Sequence, residues 1–154
     1  MRMRPSRFIV ALLLALAVAP TFAADTAPAK PDTLSSARVL IANKDWGGAM
    51  AELRKVNDTG SADWNNLMGY SLRHGPNPDN AGAEKYYNEA LRLDPKHRGA
   101  LEYSGELYLI TGDLPKAEER LATLDKVCRL PCEEYTDLKK AVARFKANGN
   151  KYTP

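Results

Sequence analysis

Ala83–Pro95 reads AEKYYNEALRLDP, and Arg98–Ala117 reads RGALEYSGELYLITGDLPKA. These two stretches decide the fold. Small residues (Ala83, Ala90, Gly105, Ala117) alternate with rings and long aliphatics (Tyr87, Leu91, Leu101, Tyr108) at the spacing of one helical face. Pro95 ends the first helix because it has no N–H to extend the ladder. Gly112 closes the second, since glycine accepts the left-handed conformation of a helix terminus. Together the stretches read as helix, turn, helix, turn, with small side chains where neighbouring helices must approach.

The same reading extends in both directions. Helices are predicted over Leu34–Asn43, Trp46–Val56, Ala62–His74, Asn80–Leu93, Arg98–Thr111, Leu114–Cys128 and Glu133–Ala147. Turn clusters separate them: Asn57–Ser61 (NDTGS), Gly75–Pro78 (GPNP) and the break at Pro131. Pro115 is tolerated in a first helical turn. No sustained period-two run of β-branched residues appears, so strands are not expected. The last helix places Tyr135, Leu138, Ala141, Val142 and Phe145 on one face and Lys139, Lys140, Arg144 and Lys146 on the other, as an end cap should.

The amino terminus is read as an export signal. Arg2, Arg4 and Arg7 precede an unbroken apolar run, Phe8–Ala19, and Pro20 and Thr21-Phe22-Ala23 follow it. This is the basic, apolar and small-residue plan of a cleaved secretory leader, and the run is too short for a stable membrane anchor. Residues 1–23 are therefore expected to be removed, 24–32 to form a disordered Pro- and Ala-rich lead-in, 33–148 the helical domain and 149–154 a tail. The chain carries 22 Lys+Arg against 19 Asp+Glu. Removing the three leader arginines balances the charge, so nothing resembles the basic footprint of a nucleic-acid binder. The expected location is periplasmic or secreted.

The helices recur in pairs. Ala49, Ala83 and Ala117 each sit early in a second helix, 34 residues apart. Ala37, Gly69 and Gly105 occupy matching places in the first helices, and about two extra residues fall in the Gly75–Asn80 loop. The pattern resembles the tetratricopeptide repeat. The third unit carries Gly105, Tyr108, Gly112 and Ala117, and the second carries Gly69, Ala83, Tyr87, Ala90 and Pro95. The first departs from the pattern: Ala37, Leu40, Ala49 and Leu53 stand in, without a hairpin glycine or closing proline. The resemblance spans roughly residues 30–128. It implies an all-α, TPR-like α-solenoid of about three hairpins (33–61, 62–97, 98–128) plus a carboxyl-terminal capping helix (133–147). One hairpin cannot bury its apolar face alone, so such units stack.

The resemblance also implies a function: a non-enzymatic protein-interaction module, an adaptor or assembly factor that holds a partner segment in a concave groove. Carried over, the groove positions include Arg38, Asn66, Tyr70, Arg73, Glu102 and Glu106, together with Ile41, Asp63, His74, Leu109 and Ile110. The partner is expected to be a protein or peptide, and a homodimer through the open first hairpin is the other occupant considered. No cofactor or metal is expected, and no nucleophile motif or phosphate-binding loop suggests an enzyme. Cys128 and Cys132 are the only cysteines. In an exported protein an even count reads as a disulfide, here stapling the third hairpin to the cap. The alternative is a thiol-redox or metal-handling helper using the same pair.

Overall fold

The structure, a computed structural model, describes residues 31–130 and 132–152. The leader expected over residues 1–23 and the lead-in as far as residue 30 lie outside the described residues. Seven helices and no strand occur among the described residues: α1 (Ser35–Ala42), α2 (Trp46–Val56), α3 (Ala62–His74), α4 (Asn80–Leu93), α5 (Arg98–Ile110), α6 (Leu114–Val127) and α7 (Glu133–Ala147). The expected boundaries hold to within a residue. Leu34, Asn43, Thr111 and Cys128 prove to be caps rather than helical residues. Leu34 shows why such residues mislead: it is only 5% exposed, so it belongs to the hydrophobic stripe although its backbone lies outside the helix.

Capping reveals a periodicity beyond that of the small residues. Asp45, Asp79 and Asp113 precede α2, α4 and α6, and each accepts a hydrogen bond from the N–H three residues on. The three are again 34 residues apart. Each carboxylate satisfies a backbone donor that the helix cannot and faces the positive end of the helix dipole. The hairpin turns recur as well. Gly112, at φ 81°, lets the Asp113 N–H reach the Tyr108 carbonyl at 2.7 Å. In the first hairpin Lys44 takes the same left-handed place at φ 59°, and the Asp45 N–H reaches the Leu40 carbonyl at 2.9 Å. The turn expected to lack its glycine therefore forms with a lysine at some steric cost.

Each helix packs against the next in sequence, and α1 also touches α3, α3 touches α5, and α5 touches α7. The even helices α2, α4 and α6 stay further apart, α6 reaching α4 through Arg120 Nη2, which donates to Asn88 Oδ1 at 3.4 Å. Burial is accordingly divided among three apolar clusters. One joins α1, α2 and α3 around Ala37, Leu53, Trp64 and Met68. A second joins α4 and α5 through Ala83, Tyr87 and Leu107. The third joins α5, α6 and α7 around Leu101, Leu124, Leu138 and Phe145. Trp64 is tied in by its indole N–H, which donates to the Leu53 carbonyl at 2.7 Å.

Cys128 and Cys132 are bonded, with Cα atoms 5.8 Å apart, and so join the end of α6 to the start of α7. Helix α7 has the two faces expected from its sequence. Leu138, Ala141, Val142 and Phe145 are buried, and Lys139, Lys140, Arg144 and Lys146 are exposed.

Candidate functional site

The face shared by α1, α3, α5 and α7 gathers most of the residues singled out above, in two groups. At the amino-terminal ends of the helices, Arg38 Nη2 donates to Asp63 Oδ2 at 3.1 Å, and Asp63 Oδ1 meets His97 Nε2 at 2.9 Å. His97 also caps α5, its Nδ1 accepting from the Ala100 N–H at 3.1 Å. That contact leaves the ring proton of neutral His97 on Nε2, pointed at Asp63. Arg98 pairs with Glu134 across the start of α7, Nε to Oε1 3.5 Å. A cleft of about 370 Å³ opens here, lined by Arg38, Asp63, Asn66, Arg98 and Glu134 among others. Asn66 is 6% exposed, and its Oδ1 accepts no hydrogen bond among the described residues. A buried acceptor of this kind favours a ligand that brings an N–H.

The second group lies nearer the carboxyl-terminal ends. Tyr70 packs on His74 with ring centroids 4.2 Å apart, on Tyr103 at 4.6 Å and on Trp46 at 6.0 Å. Four rings from α2, α3 and α5 thus form one partly exposed aromatic surface. Beneath it Arg73 donates to Glu106 at 2.7 Å and to the Tyr103 carbonyl at 3.1 Å. Its guanidinium also lies 5.6 Å and 5.7 Å from the centroids of the Tyr70 and Tyr103 rings. The Arg73 side chain is 4% exposed. Arg73 is therefore an internal tie that shapes the surface, and its charge is already engaged with Glu106.

Protonation in this group follows from burial. Arg73 Nη2 and His74 Nε2 are 2.9 Å apart, so the imidazole nitrogen accepts. Desolvation, and after it the Arg73 charge, push the His74 pKa down to about 4. Glu102 goes the other way. Desolvation first, then Glu106, Asp137 and Glu134, push its pKa up to about 8, with Arg73 opposing. Near neutrality both side chains are mainly uncharged.

These shifts set opposite pH dependences. The folded chain holds the Glu102 proton above the ordinary 4.5, so that stabilisation is complete at low pH and is lost as pH rises through about 8. The folded chain resists protonating His74, so its contribution is present above the ordinary 6.5 and is lost as pH falls through about 4. Between about pH 6.5 and 8 only the Glu102 term changes among these two, and stability is expected to fall. Thermal melts of the wild-type chain should show that decline, and Glu102→Gln should flatten it. An unchanged slope in Glu102→Gln would locate the titrating group elsewhere.

Of the residues expected from sequence, Arg73 contacts both Tyr70 and Glu106, with Glu102 near them. Arg38 and Asn66 belong to the other group. Trp46, Tyr103, His97 and Arg98 are additions. Tyr103 lies three residues before Glu106 and could have been found on the same face. Trp46 could not: it starts an even helix and reaches this surface only through the packing of α2 on α3. The larger cleft, about 680 Å³, lies at the α6–α7 junction and is lined by Lys96, Arg98, Arg129, Glu134 and both cysteines. It shares Arg98 and Glu134 with the smaller one. Among the described residues, no three or more His, Cys, Asp or Glu side chains are placed to share a metal ion. No protein-family model and no curated protein sequence matches this chain.

Proposed function

We propose that the chain is an exported, non-enzymatic docking module of the bacterial cell envelope, a TPR-like solenoid acting as an adaptor or assembly factor. It holds an extended protein segment against the face of α1, α3 and α5. The solenoid reading draws on the 34-residue recurrence of Asp45, Asp79 and Asp113. It draws also on packing in which odd helices approach odd helices more closely than even ones approach each other. The periplasmic or secreted location rests on the leader pattern in residues 1–23.

The observation that carries the docking reading is the aromatic surface of Trp46, Tyr70, His74 and Tyr103, drawn from three helices and braced by the Arg73–Glu106 pair. Aromatic side chains on rigid elements make strong contact points because little freedom remains to be lost on binding. Capture of envelope proteins by the processed chain tests it. Tyr70→Ala is expected to reduce retention of the captured partner about tenfold. Glu119→Ala, on the exposed face of α6, should leave retention unchanged. If Tyr70→Ala holds every partner as tightly as wild type, the face is not the docking site.

A second reading, a thiol-exchange helper, is favoured by the placement of Cys128 and Cys132 in the larger cleft beside Lys96, Arg98 and Arg129. Rapid reduction of the folded chain by a dithiol, followed by alkylation of both cysteines, would support it. Reduction only on unfolding would leave the bridge a purely structural staple.

A further inference from the structure

The disulfide joins two helix ends of opposite polarity. Cys128 is the residue on which α6 ends, its N–H donating to the Leu124 carbonyl at 2.9 Å. Cys132 is the residue from which α7 starts, and its side chain makes no capping hydrogen bond. Unpaired carbonyls of α6 therefore gather near Cys128, and unpaired first-turn N–H groups of α7 near Cys132. A helix carries about half a negative charge at its carboxyl-terminal end and about half a positive charge at its amino-terminal end. A thiolate is disfavoured at Cys128 and favoured at Cys132, where an acceptor reaches the N–H two or three residues on, here Glu134 or Tyr135. Side-chain charges near the bridge have both signs. Lys126, Arg129 and Glu133 are exposed, so water screens them, and Glu134 is paired with Arg98. The fixed helix ends are left to set the polarity.

Access has the same asymmetry. Both cysteines are partly exposed and line the larger cleft. Cys128, without Cys132, also lines a smaller cleft of about 280 Å³, with Asp125, Arg129, Leu130 and Tyr135. An incoming thiolate must approach the attacked sulfur from the side away from its bonded partner, and exchange is faster when the departing sulfur is the more acidic. We propose that Cys128 is the sulfur attacked and Cys132 the sulfur released, so that the bridge is a polarised thiol-exchange site. This rests on the thiol-exchange reading above. The co-reactant is an external dithiol. Its first thiolate bonds to Cys128 Sγ as the S–S bond breaks, and the electron pair leaves on Cys132 as its thiolate. The second thiolate attacks the dithiol's own sulfur in the mixed disulfide and releases Cys128, which takes up a proton. The dithiol ends as a disulfide, and the chain ends reduced by two electrons.

Glutathione, a monothiol that stops at the mixed disulfide, is the probe. The folded chain is incubated with excess glutathione, quenched in acid and mapped by mass spectrometry, with circular dichroism following its helices. Cys128 should carry about tenfold more glutathione than Cys132. The preference should vanish in urea, where the helix ends no longer exist. In Cys128→Ser, alkylation of Cys132 should reach half its maximal rate at least about one pH unit below the value for Cys128 in Cys132→Ser. Equal labelling, an excess on Cys132, or a preference that survives urea would overturn the proposal while leaving thiol exchange in place. If the chain takes up glutathione only in urea, the thiol-exchange reading itself fails, and the proposal with it.

Discussion

Arg73→Ala is expected to destabilise the fold by about 3–5 kcal/mol, the cost of breaking a buried ion pair by removing one partner. The Arg73 side chain is 4% exposed and its partner Glu106 22%, so water replaces the lost contact at Glu106 only in part. Nearby Glu102, which Arg73 partly offsets, would be left among Glu106, Asp137 and Glu134 alone. The Tyr103 carbonyl would also lose its guanidinium donor. Replacing both partners, Arg73→Met with Glu106→Leu, removes the unpaired charge and should cost clearly less. Urea denaturation of both variants checks this, and a loss below about 1 kcal/mol for Arg73→Ala would mean the pair is effectively solvated. The same geometry makes Tyr70→Ala the cleaner probe of docking. Tyr70 is partly exposed and holds no ion pair, whereas any binding defect of Arg73→Ala would be entangled with unfolding.

Tyr87→Ala is expected to cost about 3–5 kcal/mol, through lost burial and a residual cavity. Tyr87 is fully buried and fills the space between α4 and α5 with Ala83 and Leu107. Its hydroxyl makes no hydrogen bond among the described residues, so Tyr87→Phe should be tolerated, which isolates the ring as the important part. The ring also explains Gly69. A Cβ at that position would lie 2.9 Å from Tyr87 Cε1 and 3.1 Å from the Ala83 carbonyl oxygen. Neither a fully buried ring nor a helix backbone can retreat easily, so Gly69→Ala should lose stability by about 1–3 kcal/mol, less the roughly 1 kcal/mol that alanine gains over glycine in a helix. Combining Gly69→Ala with Tyr87→Ala should show a coupling of at least about 1 kcal/mol, because the second change removes the main clash of the first. Strict additivity in denaturant melts would mean that the contact between α3 and α4 relaxes freely.

The recurring small residues made the helices and their order readable. Gly69, Gly105, Ala49, Ala83 and Ala117 mark close approaches, and these leave a trace in composition because only small side chains fit there. The capping aspartates were equally readable at 34-residue spacing, yet they do not stand out until the helix starts are known. Asp79 in particular is hidden in the Gly75–Asn80 loop.

What this sequence determined by itself was the helical content and the seven segments, with Cys128 and Cys132 near enough to pair. Those depend on neighbours within a few residues: periodicity, breakers, caps and a short covalent loop. Only the tertiary structure decided which polar groups are still available to a partner. Arg73, Glu106, Asp63 and His97 look alike as exposed-face residues on a helical wheel. They differ because residues 25 to 34 positions distant supply an ion pair, a carboxylate or a carbonyl. The desolvation that lifts Glu102 is likewise set by packing between segments. No local pattern encodes the burial of a charge by a helix a full repeat away.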